Sequence, residues 1–237
     1  MVESDSVVLD VATGTGLIAI STAKLLERSG RVVALDISSA MISKAEEKAE
    51  ALGLSNITFL VADVEDVTFD DASFDSILSA SAIPYLQDVK ATFGKFSSWL
   101  RPGGRFVFNT PQSPMFAASD IGHRVLADVC GLDLLDAAHE VGDVSRVKNL
   151  LLSVGFKDVE VPDTFVMKDT SPEAFAERMW KSTTGFAMTP VDAVLSEQQL
   201  EGVKEKYIIA LTEEGKRLQV GGDIVNPYNE LFVIAHA

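Results

Sequence analysis

The sequence predicts an α/β protein built on a doubly wound, mostly parallel sheet. Three observations predict it. Over the first 110 residues, short β-rich runs alternate with helical patterns, as successive βα units do. Each of those runs is nearly continuous in apolar residues, as strands covered on both faces are. The chain has 237 residues, 47% of them hydrophobic, enough for a substantial core. No repeat, low-complexity stretch or Gly/Ser linker divides it, so a single domain over 1–237 is the expectation.

Strands are expected near Val7–Ala12, Arg31–Asp36, Ile57–Ala62, Phe74–Ala80 and Gly104–Asn109. Helices fill the gaps. Leu17–Arg28 and Ser39–Leu52 carry apolar residues at helical spacing; the second has Ser38 or Ser39 as N-cap and stops at Gly53. Leu100-Arg101-Pro102-Gly103-Gly104 reads as a stop and turn before the fifth strand. Beyond Asn109 the alternation weakens. Residues 112–143 look helical and irregular, Ser145–Val154 is an amphipathic helix ending at Gly155, and Phe156–Val161 is a further strand. Pro172–Lys181 and Ser196–Leu211 read as helices and Glu230–Ala235 as a terminal strand, with Asn226-Pro227-Tyr228 a turn leading into it. Residues 1–110 thus form a ligand-binding half, and about 112–143 and 168–226 are insertions, the latter placed as a substrate lid.

Twenty basic against thirty-five acidic residues give a formal charge of −15, which argues against a nucleic-acid partner. Cys130 is the single cysteine, so no internal disulfide, redox pair or multi-thiolate zinc site can form within the chain. No apolar run approaches the roughly 20 residues that span a bilayer, and the opening MVESDS lacks the basic and apolar stretches of a signal peptide. A soluble, cytoplasmic protein is expected.

The first strand runs into Asp10-Val-Ala-Thr-Gly14-Thr-Gly16-Leu-Ile-Ala19, a glycine-rich turn opening a helix, where small residues let a ligand approach the backbone. Asp36 ends the second strand twenty residues after Gly16, the separation at which a carboxylate meets ribose hydroxyls in such a sheet. Asp63 ends the third, where a carboxylate can accept from an adenine amino group. All three positions fall at carboxyl ends of successive parallel strands, which is where these sheets bind ligands. The pattern fits a nicotinamide dinucleotide or S-adenosylmethionine, since Gly14-x-Gly16-x-x-Ala19 also satisfies the dinucleotide fingerprint.

From about residue 7 to 110 the sequence resembles the class I S-adenosylmethionine-dependent methyltransferases, in particular their ubiquinone/menaquinone-biosynthesis-like, small-molecule branch. Five blocks carry the resemblance in order: VVLDVATGTG, VVALDISSAMISKAEEKA, ITFLVADVEDVTFDDASFD, ILSASAIPYLQD and LRPGGRFVF. It implies a Rossmann-like, seven-stranded, mostly parallel sheet with a helical lid inserted before the last strand. It also implies cofactor residues. Asp10 and the turn of Ala12, Thr13, Gly14 and Gly16 would hold the methionine part, Ala12 standing where many relatives have glycine. Asp36 would bind the ribose hydroxyls, Ile37 and Met41 flank the adenine, Asp63 and the Val64 amide read its edge, and Ser79 lie near the methionine carboxylate or the methyl. For Ile37 and Met41 ordinary core packing is the competing reading, and for Ser79 a satisfied strand-end hydroxyl.

Methyl transfer from a sulfonium needs alignment and a dehydrated pocket more than a dedicated base. The chain shows no evident catalytic constellation; His123, His139 and Tyr85 are the candidates if a base exists. Ser79 and Asn109 stand where a metal-dependent relative would need acidic ligands, so no metal is expected. Acceptor candidates are Tyr85, Asn109, Phe116, Trp180, Phe186 and Tyr207, most of which suit a core equally well. Arg178 and Lys181, beside Trp180, suit an acceptor carboxylate or a solvated helix face. Only six residues precede the first strand, where relatives usually carry covering helices, so either the chain is truncated or its lid comes from the later insertions. An NAD(P)-dependent oxidoreductase and a non-catalytic S-adenosylmethionine-binding regulator remain as alternatives.

Overall fold

A run of five buried residues, Val7–Val11, forms the first strand, β1. Then follow α1 (Leu17–Leu25), β2 (Arg31–Asp36), α2 (Ser39–Ala51), β3 (Ile57–Val61), β4 (Phe74–Ser79), a 3-10 turn (Ile83–Tyr85), α3 (Val89–Trp99) and β5 (Leu100–Pro111). The later elements are α4 (Val144–Ser153), β6 (Asp158–Glu160), β7 (Met167–Asp169), α5 (Pro172–Gly185), α6 (Glu197–Arg217), β8 (Gln219–Val220), β9 (Asp223–Asn226) and β10 (Glu230–His236). This computed structural model describes residues 3–26, 29–111, 141–162, 167–169, 171–185, 196–221, 223–226 and 230–237. The chain forms two compact units, one of Met1–Thr110, Asp143–Asp163 and Leu231–Ala237, the other of Pro111–Gly142 and Thr164–Glu230.

The first unit holds a seven-stranded sheet in the order β3-β2-β1-β4-β5-β10-β6. β1 pairs in parallel with β2 and β4, β2 with β3, and β4 with β5, whereas β6 runs antiparallel to β10. Strand order reverses between β1 and β4. In sheets of this kind ligands bind at such a switch point, outside the carboxyl ends of the strands. Two packed layers hold the frame. On one face Ala19, Ala23 and Leu26 close over Val8, Val32 and Ala34. Elsewhere the strands bury aromatic rings: Phe93 and Phe96 of α3 lie 5.1 and 5.0 Å from Phe106, which stacks on Phe108 at 4.6 Å.

The second unit has its own core of Phe175, Ala176, Met179, Trp180, Val203, Tyr207, Leu211 and Ile224, contributed by α5, α6 and β9. Ser196 and Gln199 form a capping box that starts α6. A small sheet, β7-β9-β8, is antiparallel throughout. No described helix is long and apolar enough to cross a membrane.

The five early strands lie within a residue or two of their expected positions, except that β5 begins at Leu100. The LRPGG segment, expected as a turn, pairs Leu100 with Phe74 before a register shift, and Gly103 at φ +81° hydrogen-bonds Ala237. A bulge in the strand absorbs the turn residues. α6 extends six residues past its expected end, to Arg217. The β7-β9-β8 sheet has no counterpart in the sequence expectations, and Asn226, expected in a turn, closes β9.

Candidate functional site

Asp10, next to last in β1, is 1% exposed. Its Oδ2 accepts from the Thr13 hydroxyl and, at 3.0 Å, from the Ala19 amide, so one carboxylate ties both ends of the glycine turn to the start of α1. These bonds show Asp10 fixing the turn expected to hold the methionine moiety. Burial pushes its pKa up from 3.8 to about 6; the bonds from Thr13 and Ala19 pull the other way, and the Asp36 charge adds to the rise. The folded protein therefore keeps this proton to higher pH than the unfolded chain. Asp10's contribution to stability is full below about pH 4 and is lost as pH rises through about 6. Denaturant midpoints measured from pH 4 to 7 should carry this downward component in the native protein and lose it in Asp10→Asn.

The turn itself is held by backbone. Thr13 donates its amide to Leu35 at 2.9 Å, and Gly14 donates to Asp36 Oδ2 at 2.8 Å. Ala12, Gly14 and Gly16 all have left-handed φ, at +55°, +55° and +81°. At Gly16 a side chain is excluded twice over, because a Cβ would also lie 2.9 Å from that of Ala45 on α2. Lys48 of α2 donates to the Thr15 hydroxyl at 2.7 Å and to its carbonyl, a brace with no sequence signal beyond a lysine in a helix.

Asp36 is only half-buried, and its Oδ1 accepts from the Ser38 amide at 2.9 Å. Each of its oxygens thus has one backbone donor, leaving further lone pairs for hydroxyls. Beside it Ile37 is 71% and Met41 41% exposed. Neither is a core residue, and two large apolar side chains lie exposed next to the Asp36 carboxylate. Asp63 Oδ1 accepts from the Glu65 amide at 2.9 Å, and Val64 packs inward. Glu65, which sequence reasoning missed, carries the turn onward: its carboxylate accepts the Gln87 and Asp88 amides at 2.8 and 2.7 Å at the start of α3.

At the end of β4, Ser79 is 3% exposed and its Oγ has no hydrogen-bond partner. A buried hydroxyl without a partner within the chain calls for a water or ligand atom. Asn109, expected to touch the acceptor, engages Ser81: its Oδ1 accepts the Ser81 amide at 2.9 Å and its Nδ2 donates to the Ser81 hydroxyl at 3.1 Å. Tyr85 is 47% exposed on the same loop, and partial burial raises its phenol pKa. Trp180 and Tyr207, also expected at the acceptor, are core residues of the second unit, packed edge to face at 5.3 Å. They sit on the faces of α5 and α6 that pack on each other. Arg178 lies 6.0 Å above the Phe175 ring. Phe116, His123, His139 and Phe186 fall outside the described residues.

These residues fit S-adenosylmethionine: a glycine-rich turn with left-handed backbone at Ala12, Gly14 and Gly16, carboxylates at two successive strand ends, exposed apolar side chains beside one of them, and an orphan hydroxyl at the switch point. The methyltransferase domain family matches residues 2–149. The ubiquinone/menaquinone biosynthesis C-methyltransferase UbiE of Geobacter sulfurreducens is 34% identical over 165 residues, covering 64% of each chain. Aklanonic acid methyltransferase DauC of a Streptomyces species is 32% identical over 104 residues, 44% of this chain and 47% of that one. The chain thus spans about half to two thirds of these relatives. YcgJ of Bacillus subtilis superposes with a TM-score of 0.66 at 16% identity, covering 99% of this chain and 93% of that one. Phosphoethanolamine N-methyltransferase 2 of Haemonchus contortus, solved with phosphomonomethylethanolamine and S-adenosylhomocysteine, gives 0.60 at 18% identity, over 100% of this chain and 49% of that one. Both structures share the fold.

Proposed function

This chain belongs to the methyltransferase domain family, and from that premise we propose that it transfers the methyl group of S-adenosylmethionine to a small-molecule acceptor. The observation that carries the reading is the 2.8 Å bond from the Gly14 amide to Asp36, which joins the glycine turn and the ribose carboxylate into one cradle. When bound, the cofactor supplies a methyl group already activated on a sulfonium. The protein's part is to hold and orient. Asp10 keeps the turn closed on the start of α1, Asp36 accepts the ribose hydroxyls, and Ile37 and Met41 cover the adenine. Asp63 and the Val64 amide take the adenine edge, and Ser79 Oγ finds its missing partner at the methionine end. None of these groups has to remove a proton, so the rate gain rests on proximity and exclusion of water.

Acceptor recognition belongs, in this proposal, to Tyr85 on the loop after β4. A cytoplasmic setting is part of the same reading and is supported by the lone cysteine. UbiE, DauC and phosphoethanolamine N-methyltransferase 2 are named methyltransferases, and none of them supports the oxidoreductase alternative.

Calorimetry with S-adenosylmethionine, S-adenosylhomocysteine and NAD is the first test, with binding of the first two expected. The second is formation of S-adenosylhomocysteine from labelled cofactor over a panel holding a demethylated quinol, a polyketide carboxylic acid and phosphoethanolamine. Tight NAD binding without response to S-adenosylhomocysteine would overturn the assignment. Cofactor binding with no turnover over a widened panel would point to a regulator.

A further inference from the structure

Two of the left-handed non-glycine residues among the described ones, Ala12 and Ser81, follow β1 and β4, the strands on either side of the switch point. Strained backbone persists only where its surroundings hold it, and it gathers at ligand clamps. Ala12 lies in the glycine turn already assigned. Ser81, at φ +55°, is held from the next strand over. β4 and β5 run in parallel with Ser79 opposite Phe108, which brings Asn109 beside the loop that leaves β4.

We propose that Asn109 is a positioning residue for methyl transfer, its amide clasping Ser81 in the left-handed conformation and so aiming the 80–85 loop and Tyr85. The inference rests on the methyltransferase reading. The far end of the loop is already fixed: Ile83 is fully buried, Tyr85 donates its amide to Ala82 at 2.9 Å, and Glu65 receives the Gln87 and Asp88 amides. Ser81 holds the left-handed φ at the near end of the loop, and the carboxamide of Asn109 meets both its amide and its hydroxyl. An aspartate can do the same by accepting from the amide and the hydroxyl together. A glycine at position 81 adopts this φ without help.

The test uses the full chain with Asn109→Ala, Asn109→Asp and the double variant Asn109→Ala/Ser81→Gly. Hydrogen exchange of the 79–88 segment, S-adenosylhomocysteine affinity and turnover of the acceptor found in the panel are measured on each. Asn109→Ala should exchange this segment at least roughly tenfold faster and lose roughly tenfold in kcat/KM, with S-adenosylhomocysteine affinity within about twofold. Asn109→Asp should recover most of both losses, and the double variant most of the loss in turnover. Unchanged exchange in Asn109→Ala overturns the clasp, as does a double variant that restores nothing, the result expected of direct acceptor contact. Faster exchange with unaltered turnover overturns the role in transfer. If the native protein neither binds S-adenosylhomocysteine nor turns over the panel, the methyltransferase reading fails, and with it the role in transfer, while the exchange data still decide the clasp.

Discussion

Trp180→Ala is expected to lower the unfolding free energy by about 3–5 kcal/mol, the usual cost of emptying a buried indole site. The indole is 7% exposed, meets the Tyr207 ring edge to face at 5.3 Å, and lies in one cluster with Phe175, Met179, Val203 and Leu211. Alanine leaves a cavity that α5 and α6 can close only by shifting against each other, and both helices are anchored by further buried residues. Tyr207→Phe, which keeps the ring and removes only the hydroxyl, should cost less. The competing role for Trp180, as a wall of the acceptor pocket, makes the opposite forecast: a raised acceptor KM with unfolding altered by less than about 1 kcal/mol. Guanidinium unfolding and acceptor kinetics on the same variant separate them, and an unfolding midpoint near that of the native chain would overturn the core assignment.

Trp180 also marks where sequence reasoning loses force. An aromatic at helical spacing reads the same whether it faces another helix or a ligand, because periodicity specifies a face and says nothing of what covers it. The glycine turn, Asp36 and Asp63 were legible for the opposite reason: parallel strands place their functional residues at carboxyl ends, so position along the chain already fixes position in the crevice. Even there the partner atoms were hidden. Nothing in LVADVEDV distinguishes Asp63, whose carboxylate braces its own turn, from Glu65, whose carboxylate reaches across to α3. Asn109 was legible as a strand-end polar residue, but its partner, Ser81, depends on the register of β5 against β4 and on a φ that no serine announces. The β7-β9-β8 sheet escaped because strands of two to four residues are too short to show alternation. Ile37 and Met41 illustrate the converse: apolar residues at a strand end and in the first turn of a helix suggest packing, and the structure leaves both bare.

Asp36→Ala should weaken S-adenosylhomocysteine binding by about 3 kcal/mol, roughly a hundredfold, the larger end of what one charged acceptor contributes. Two losses add. The ribose hydroxyls lose their carboxylate, and the two backbone amides it holds, Gly14 of the turn and Ser38 at the start of α2, lose their acceptor. Asp36→Asn separates the two: its carbonyl oxygen can serve one amide, but its NH2 then faces a second donor, so an intermediate loss is expected. Because Asp36 is half-buried at a strand end and not in the core, the unfolding midpoint should fall far less than affinity does. Calorimetry and denaturant unfolding on the two variants decide the matter. Unchanged affinity with a collapsed midpoint would make Asp36 a scaffold residue alone and remove the ribose site from this end of the sheet.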